Sequence, residues 1–362
     1  MPSSSPPPPP PFFVPAAIAA AKAPTAALRW ASHVQQIAIF QRHWLADSSW
    51  KTARTAMLAY IMVCFHFGLD PVPSSGITDL ALAGFILFLV HDKKAYSTIK
   101  TYLSMGPRVL QLLRLGTWTP VTDRPLVSRT LCAARRVLGD VPKPKLAITP
   151  DILRRIHGLL DFSDINNVVL YTSYLVSFWG FLRKSNVVIG RKSDFHSRLV
   201  LTRADVNFDP DGRAWLTLRH TKTIQFQQRV LVVPLALLNG DTTLCPSTWL
   251  ARMLKGLPTA PSATPLFSGP RSSGNGLMPL TYGRFLENLK RVLATIGYDA
   301  RKYAGQSFRR GGATFALSSG VPTELIKLQG DWRSNAYELY AGVTRDTQLA
   351  AVLRMASALD RS

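Results

Sequence analysis

Acid is in short supply in this chain of 362 residues: 21 Asp+Glu stand against 43 Lys+Arg, for a formal net charge of +22. The charged fraction is only 18%, so the surplus reflects missing carboxylates rather than abundant base. No Asp/Glu/His cluster of the kind a catalytic divalent metal needs appears, so neither metal nor cofactor is expected. Cysteine is scarcer still. Cys64, Cys132 and Cys245 lie far apart and outside any CxxC or Cys/His cluster, which excludes a disulfide scaffold and a zinc ribbon. No apolar run reaches the roughly 18 residues of a membrane span; the purest, Leu80 to Val90, stops at His91 and Asp92 and reads as a core helix. The N-terminus has no charged n-region, and Pro15 and Pro24 interrupt its Ala-rich stretch, against a signal peptide. Histidine ends at His220. These absences predict a soluble intracellular protein in a reducing compartment, the nucleus if the host is eukaryotic.

What is present is material for packed cores: 47% of the residues are hydrophobic and 10% of the chain is aromatic. The length predicts two domains. The charge favours a polyanionic partner, nucleic acid first and an anionic membrane surface second. The surplus is spread over both halves, +8 over 1–140 and +14 over 141–362.

Residues 1–27 are low complexity, with six prolines from Pro6 to Pro11, and read as a polyproline-rich, disordered tail. Residues 28–140 read as all helical. Predicted helices run from Asp47 or Ser48 to about Gly68, from Thr78 or Asp79 to Val90, from Ser97 through a kink at Pro107 to Leu113, and from Pro125 to Leu138. Residues 141–150, within GDVPKPKLAITP, read as a linker with little to bury. Residues 151–362 mix helices with a small antiparallel sheet. A helix spans about Asp151 to Leu159, and a fully buried one runs from Asn166 to Leu182. Strands follow at Leu199 to Leu201, Ala214 to Leu218 and Arg229 to Val233. A helix at Pro246 to Leu254 and a Pro/Gly/Ser-rich loop from Leu257 to Pro279 come next. Helices at Tyr282 to Ile296, Phe308 to Ser318, Pro322 to Leu328 and Ser334 to Tyr340 complete the chain.

Three cationic positions carry the chemistry. Arg183 ends the buried helix in GFLRKSNVV, so it is presented from the rim of a core. Lys222 sits at a hairpin tip in RHTKTIQF, where a flexible ammonium reaches outward. Arg309 lies in QSFRRGGATFAL, where Gly311 and Gly312 allow close approach and a helix N-terminus adds amide donors. Tyr340 follows 31 residues later in GDWRSNAYELYAGV. Taken singly, each has a plainer reading: an ion pair or cap, a solvated lysine, a core tyrosine.

In this order and context they resemble the tyrosine recombinases of the phage-integrase superfamily, and most closely the eukaryotic mobile-element recombinases of Crypton and DIRS type. The resemblance covers about residues 45 to 350, through the arginine box at Arg183, the lysine hairpin, TLCPSTWLARML, PLFSG, and SFRRGG leading to the tyrosine. It implies a mainly α protein: an all-helical, SAM-like core-binding domain and a mixed α+β catalytic domain, closing as a C-shaped clamp on double-stranded DNA. It further implies a tetramer on two DNA sites. Tyr340 would attack a phosphodiester to leave a 3′-phosphotyrosyl bond, Arg183 and Arg309 would hold the nonbridging oxygens, and Lys222 would protonate the leaving 5′-oxygen. Tyr337, one turn earlier, is the alternative nucleophile. Asp205 falls where the family often has an acid. Arg54, Lys93, Lys94, Lys100, Arg135, Arg136 and Arg310 are candidate phosphate contacts.

Two positions depart from the pattern. The usual HxxR histidine is Gln306, which can donate a hydrogen bond but cannot act as acid or base, so the enzyme is expected to be attenuated. The next, nine residues before the tyrosine, is usually His or Trp and here is Asp331. Trp332 is expected to make the phosphate contact while Asp331 caps a helix or pairs with an arginine. His220 is the one remaining imidazole near Lys222 in sequence. Two alternatives stay open: a domesticated, noncatalytic DNA-binding protein, and a type IB topoisomerase-like enzyme.

Overall fold

The computed structural model describes residues 40–333, apart from 142–143, 192–194, 227 and 272–275, together with 33 and 36. It divides into two compact units, Met1–Lys143 and Pro144–Ser362. The tail at 1–27, the helix expected at Ser334 to Tyr340, both candidate nucleophiles and the apolar segment 343–359 lie outside the described residues.

The first unit is helical throughout its described part. Helix α1 (Asp47–His66) buries Ala53, Ala56, Tyr60, Val63 and Cys64, a three- and four-residue spacing that places them on one face. Helix α2 (Asp79–His91) opens on Thr78, whose hydroxyl accepts from the Ala81 amide at 3.2 Å. It buries Leu82, Phe85, Ile86 and Leu89 but leaves Leu80 and Leu87 exposed. The reading of this run as a core helix therefore holds for one face only. The Tyr60 and Phe85 rings meet edge to face, 5.2 Å apart.

The kinked third helix is two helices, α3 (Tyr96–Met105) and α4 (Pro107–Leu115). Gly106 joins them and packs so close to α1 that a Cβ there would collide with the Ala56 carbonyl. Pro107, at the first position of α4, loses no intrahelical bond. Helix α5 (Pro125–Leu138) packs on α2. Arg124, 7% exposed, ties the unit together through Asp79 at 2.7 Å and the carbonyls of Ile77 and Thr119 at 3.0 and 3.2 Å.

The second unit is built around α7 (Ile165–Trp179), which buries every residue from Val168 to Phe178. Its hydroxyls survive burial by bonding within the helix, Thr172 to the Val168 carbonyl at 2.7 Å and Ser177 to that of Ser173 at 2.6 Å. Around it lie α6 (Pro150–Leu159), the short α8 (Lys184–Val187), α9 (Pro246–Gly256), α10 (Tyr282–Thr295), α11 (Gln306–Ser318) and α12 (Thr323–Gly330). Tyr174 of α7 stacks on Phe308 of α11, centroids 4.8 Å apart.

A three-stranded antiparallel sheet, β1 (Val206–Phe208), β2 (Ala214–Leu218) and β3 (Leu231–Pro234), pairs Val206 with Leu216 and Leu216 with Val233. A two-stranded sheet, β4 (Ser268–Pro270) and β5 (Leu277–Pro279), follows. The mixed, mainly helical architecture with small antiparallel sheets is the expected one.

Four local expectations are corrected. Residues 199–201 form no strand: Thr202 to Asp205 make a capping box that turns the chain into β1. The Pro/Gly/Ser-rich loop contains β4 and β5. The linker reading fails at its second half, where Ile148 is fully buried and its amide donates to the Ser307 carbonyl at 3.0 Å. The buried helix stops at Trp179, because Gly180 and a left-handed Phe181 (φ 47°) turn the chain, so Arg183 caps α8 instead of ending α7.

Candidate functional site

The four residues from Gly330 to Arg333, at the C-terminal end of α12, gather the predicted groups. Asp331 adopts the left-handed conformation (φ 56°) and caps α12, its amide donating to the Leu328 carbonyl at 3.2 Å. Left-handed backbone suits short Asp better than most non-glycine residues. Arg309 reaches this segment from α11. It is only 5% exposed. Its Nη2 donates to the Gly330 carbonyl at 2.7 Å, and its Nη1 donates to the carbonyl of Phe181. The guanidinium carbon lies 3.7 Å from the centroid of the Trp332 ring, so two carbonyls and an aromatic face fix its plane.

Arg183 arrives from the α7–α8 turn. Its Nη2 donates to the Asp331 carbonyl at 3.4 Å, and its Nη1 stands 3.8 Å from the Asp331 carboxylate. The two arginines, 126 positions apart in sequence, thus bond to consecutive carbonyls.

Lys222 is exposed on the loop between β2 and β3. Its neighbours Thr221 and Thr223 both donate their hydroxyls to one oxygen of Asp331, and Arg229 from the far end of the loop donates to the other. Arg333 donates to the Thr223 carbonyl at 2.9 Å. Burial alone would raise the Asp331 pKa. The hydrogen bonds from Thr221, Thr223 and Arg229, with the arginine's charge, outweigh it and hold the carboxyl below its ordinary value.

The expectation that Asp331 caps a helix or pairs with an arginine describes what is seen: it does both. The expected role of Gly311 and Gly312 is corrected. A Cβ on Gly311 would strike the Ile148 carbonyl and one on Gly312 the Phe178 carbonyl, so these glycines admit protein backbone rather than a ligand.

Gln306 is exposed at the first position of α11, and Arg310 is half-buried next to Arg309. Asp205 is buried and structural, accepting from the Thr202 amide and hydroxyl at 2.8 and 2.7 Å and pairing with Arg219. His220 offers its carbonyl to Asn186 at 2.8 Å. Burial lowers its imidazole pKa.

In the first unit Lys100 and Arg135 converge on the Tyr96 ring, 5.8 and 5.9 Å from its centroid. Lys94 pairs with Asp92 at 3.0 Å and Arg135 with Asp140 at 2.9 Å, while Arg54, Lys93 and Arg136 are exposed.

The sequence reading missed Thr221, Thr223, Arg229 and Arg333. The signal was the acid shortage itself, since a buried carboxylate is satisfied only by donors brought to it and this chain has base to spare.

Solved structures with the same arrangement of elements can now be compared. A lambda integrase dimer bound to a COC′ core site matches with a TM-score of 0.51 at 15% identity, over 87% of this chain and 78% of that one. A shorter form, lambda integrase(75-356), also bound as a dimer to a COC′ core site, matches with a TM-score of 0.51 over 87% of this chain and 96% of that one, again at 15% identity. The chain has the integrase fold. XerH site-specific recombinase, bound to its palindromic difH substrate, shares that fold with a TM-score of 0.50 at 13% identity, over 76% of this chain and 70% of that one. No family model and no curated protein matches the chain in sequence, so the integrase fold emerges here from structure and not from overall sequence similarity.

Proposed function

We propose that the chain is a DNA recombinase that cuts and rejoins strands through Tyr340. The observation that carries this reading is the convergence of Arg183, Arg309 and the Lys222 loop on residues 330–333, which end seven positions before Tyr340. Nucleophile, two guanidiniums and an ammonium are the groups that metal-free phosphodiester cleavage calls for.

In this mechanism the Tyr340 phenol attacks phosphorus, forming a 3′-phosphotyrosyl bond. Arg183 and Arg309 stabilise the charge that builds on the nonbridging oxygens, with Trp332 holding Arg309 and contacting phosphate. Lys222 gives a proton to the departing 5′-oxygen. Gln306 offers a hydrogen bond where the family has an imidazole, which slows turnover without stopping it.

Double-stranded DNA is the partner, held by both basic units, and a tetramer spanning two sites performs the exchange. Within the superfamily the proposed kinship is with eukaryotic mobile-element recombinases of Crypton and DIRS type, and with it a nuclear site of action if the host is eukaryotic.

A second reading is favoured by one observation. The Asp331 carboxylate puts negative charge 3.8 Å from Arg183, near where a phosphate would have to sit, as in a noncatalytic DNA-binding descendant.

A nicked suicide duplex, made from DNA flanking the gene and incubated with the full chain in EDTA, separates the two readings. The expected result is an SDS-resistant adduct that disappears in Tyr340→Phe and persists in Tyr337→Phe. Tight binding of that DNA without any adduct would establish the noncatalytic reading. Gln306→His is expected to raise the adduct rate, toward the roughly 100-fold that an acid/base group typically contributes.

A further inference from the structure

We infer that Asp331 is a positioning residue for Lys222, setting the β2–β3 loop so that its ammonium meets the leaving oxygen. This rests on the recombinase reading above and deepens it.

The loop from Arg219 to Val230 has its own internal bonds. The Thr221 and Ile224 amides each donate to the other's carbonyl, at 3.2 and 3.3 Å. Gln228 donates to the Thr223 carbonyl at 2.8 Å, and Gln225 to that of Lys222 at 2.7 Å. These bonds fix the shape of the loop but not its place beside the arginines. Its start is placed by Arg219 on Asp205 and by Asn186 on the His220 carbonyl, and the stretch around Lys222 by the buried Ile224 and by bonds to residues that follow α12.

Those bonds are Thr221, Thr223 and Arg229 to the Asp331 carboxylate and Arg333 to the Thr223 carbonyl. The two threonines flank Lys222 directly, so the carboxylate anchors the backbone on both sides of the ammonium.

Asp331 is itself tied to the end of α12 as its left-handed cap, and it also faces Arg183. A single carboxylate therefore spaces the lysine loop from the phosphate-holding arginine. An imidazole or indole at 331 has no pair of anionic oxygens to accept from three donors. Thr221, Thr223, Arg229 and Asp331 thus form one device.

The test compares two suicide duplexes, one ordinary and one with sulfur in place of the 5′-bridging oxygen. On the ordinary duplex the Tyr340 phenol gives its proton to water as its oxygen bonds to phosphorus, the P–O5′ bond breaks, and the 5′-oxygen takes a proton from Lys222. On the sulfur duplex the P–S bond breaks and sulfur leaves with the electron pair as a thiolate, which needs no proton.

Asp331→Asn is expected to lower the adduct rate on the ordinary duplex by about 100-fold, the lower range for loss of a proton donor, and to return close to the wild-type rate on the sulfur duplex. Lys222→Ala should show the same rescue. Thr221→Val combined with Thr223→Val should fall between wild type and Asp331→Asn on the ordinary duplex. Should Asp331→Asn fail to fold, Arg229→Gln, at a side chain 39% exposed, carries the same comparison.

Equal losses on both duplexes would overturn the inference while leaving the recombinase reading intact. No adduct with wild type on either duplex would instead overturn the recombinase reading itself.

Discussion

Arg309 and Trp332 form one unit: the guanidinium lies over the indole at 3.7 Å while its Nη2 donates to the carbonyl two residues before that indole, at 2.7 Å. The ring also packs against Phe181, centroids 6.1 Å apart, and Phe181 supplies the other carbonyl that Arg309 uses. A charge this buried is tolerated because carbonyl dipoles and a π face replace its water.

Trp332→Ala should therefore cost stability as well as chemistry. A desolvated cation–π contact contributes about 2 kcal/mol, so urea unfolding should show a loss of about that size. Trp332→Phe should recover most of it. If Trp332→Ala unfolds at the wild-type midpoint, the ring does not hold Arg309.

Two Gly→Ala changes, one on α11 and one on α6, are predicted to have opposite outcomes. Gly311→Ala drives a methyl into the Ile148 carbonyl and should destabilise by about 1–3 kcal/mol, the usual range for overpacking. At Gly158, on helix α6, a Cβ meets nothing within 4 Å, so Gly158→Ala should stabilise by about 0.4–1 kcal/mol. Thermal melts of the two variants against wild type check both signs.

Arg124 makes a prediction confined to the first unit. Arg124→Met leaves Asp79 and two carbonyls without their donor. Because Asp79 is 36% exposed, the loss should fall below that of a fully buried pair, at about 1–3 kcal/mol for the donors removed. Hydrogen exchange should show α2 and α5 opening sooner while α7 keeps its protection.

Asp331 gives the acid side of the stability curve a defined sign. Its folded pKa lies below the ordinary 3.8, so its ionised form stabilises the fold above that value, and the contribution fades as pH falls through the folded pKa. The gap in unfolding free energy between wild type and Asp331→Asn should be constant near neutrality and shrink in acid. A gap that widens as pH falls would contradict the assignment.

DNA binding should weaken steeply with salt. Lys100→Ala and Arg135→Ala, both beside Tyr96, should each lower the slope of log K against log salt by about 1 if each neutralises one phosphate. Fluorescence anisotropy across a salt series measures this directly.

Much of this was legible in the sequence. Asp47, Thr78 and Pro125 mark helix starts seen in the structure at Asp47–His66, Asp79–His91 and Pro125–Leu138, because caps and three- and four-residue spacings act locally. The buried run in α7 and the strand at Ala214 to Leu218 were readable for the same reason. The strands β4 and β5 were not, since three-residue strands carry too short an alternation to separate them from loop. Gly106 was also opaque, because its need for a bare Cα comes from the Ala56 carbonyl on another helix.

The sequence by itself determined the excess of base, the two-part organisation, and the presence of Arg183, Lys222, Arg309 and Tyr340 in a telling order. Only the tertiary structure decided what Asp331 does. Its donors come from positions 221, 223 and 229, over 100 residues away, and no local pattern encodes a bond of that separation. A carboxylate's role is set by which donors the fold carries to it, and here the fold carries the lysine loop and Arg183 to the same side chain.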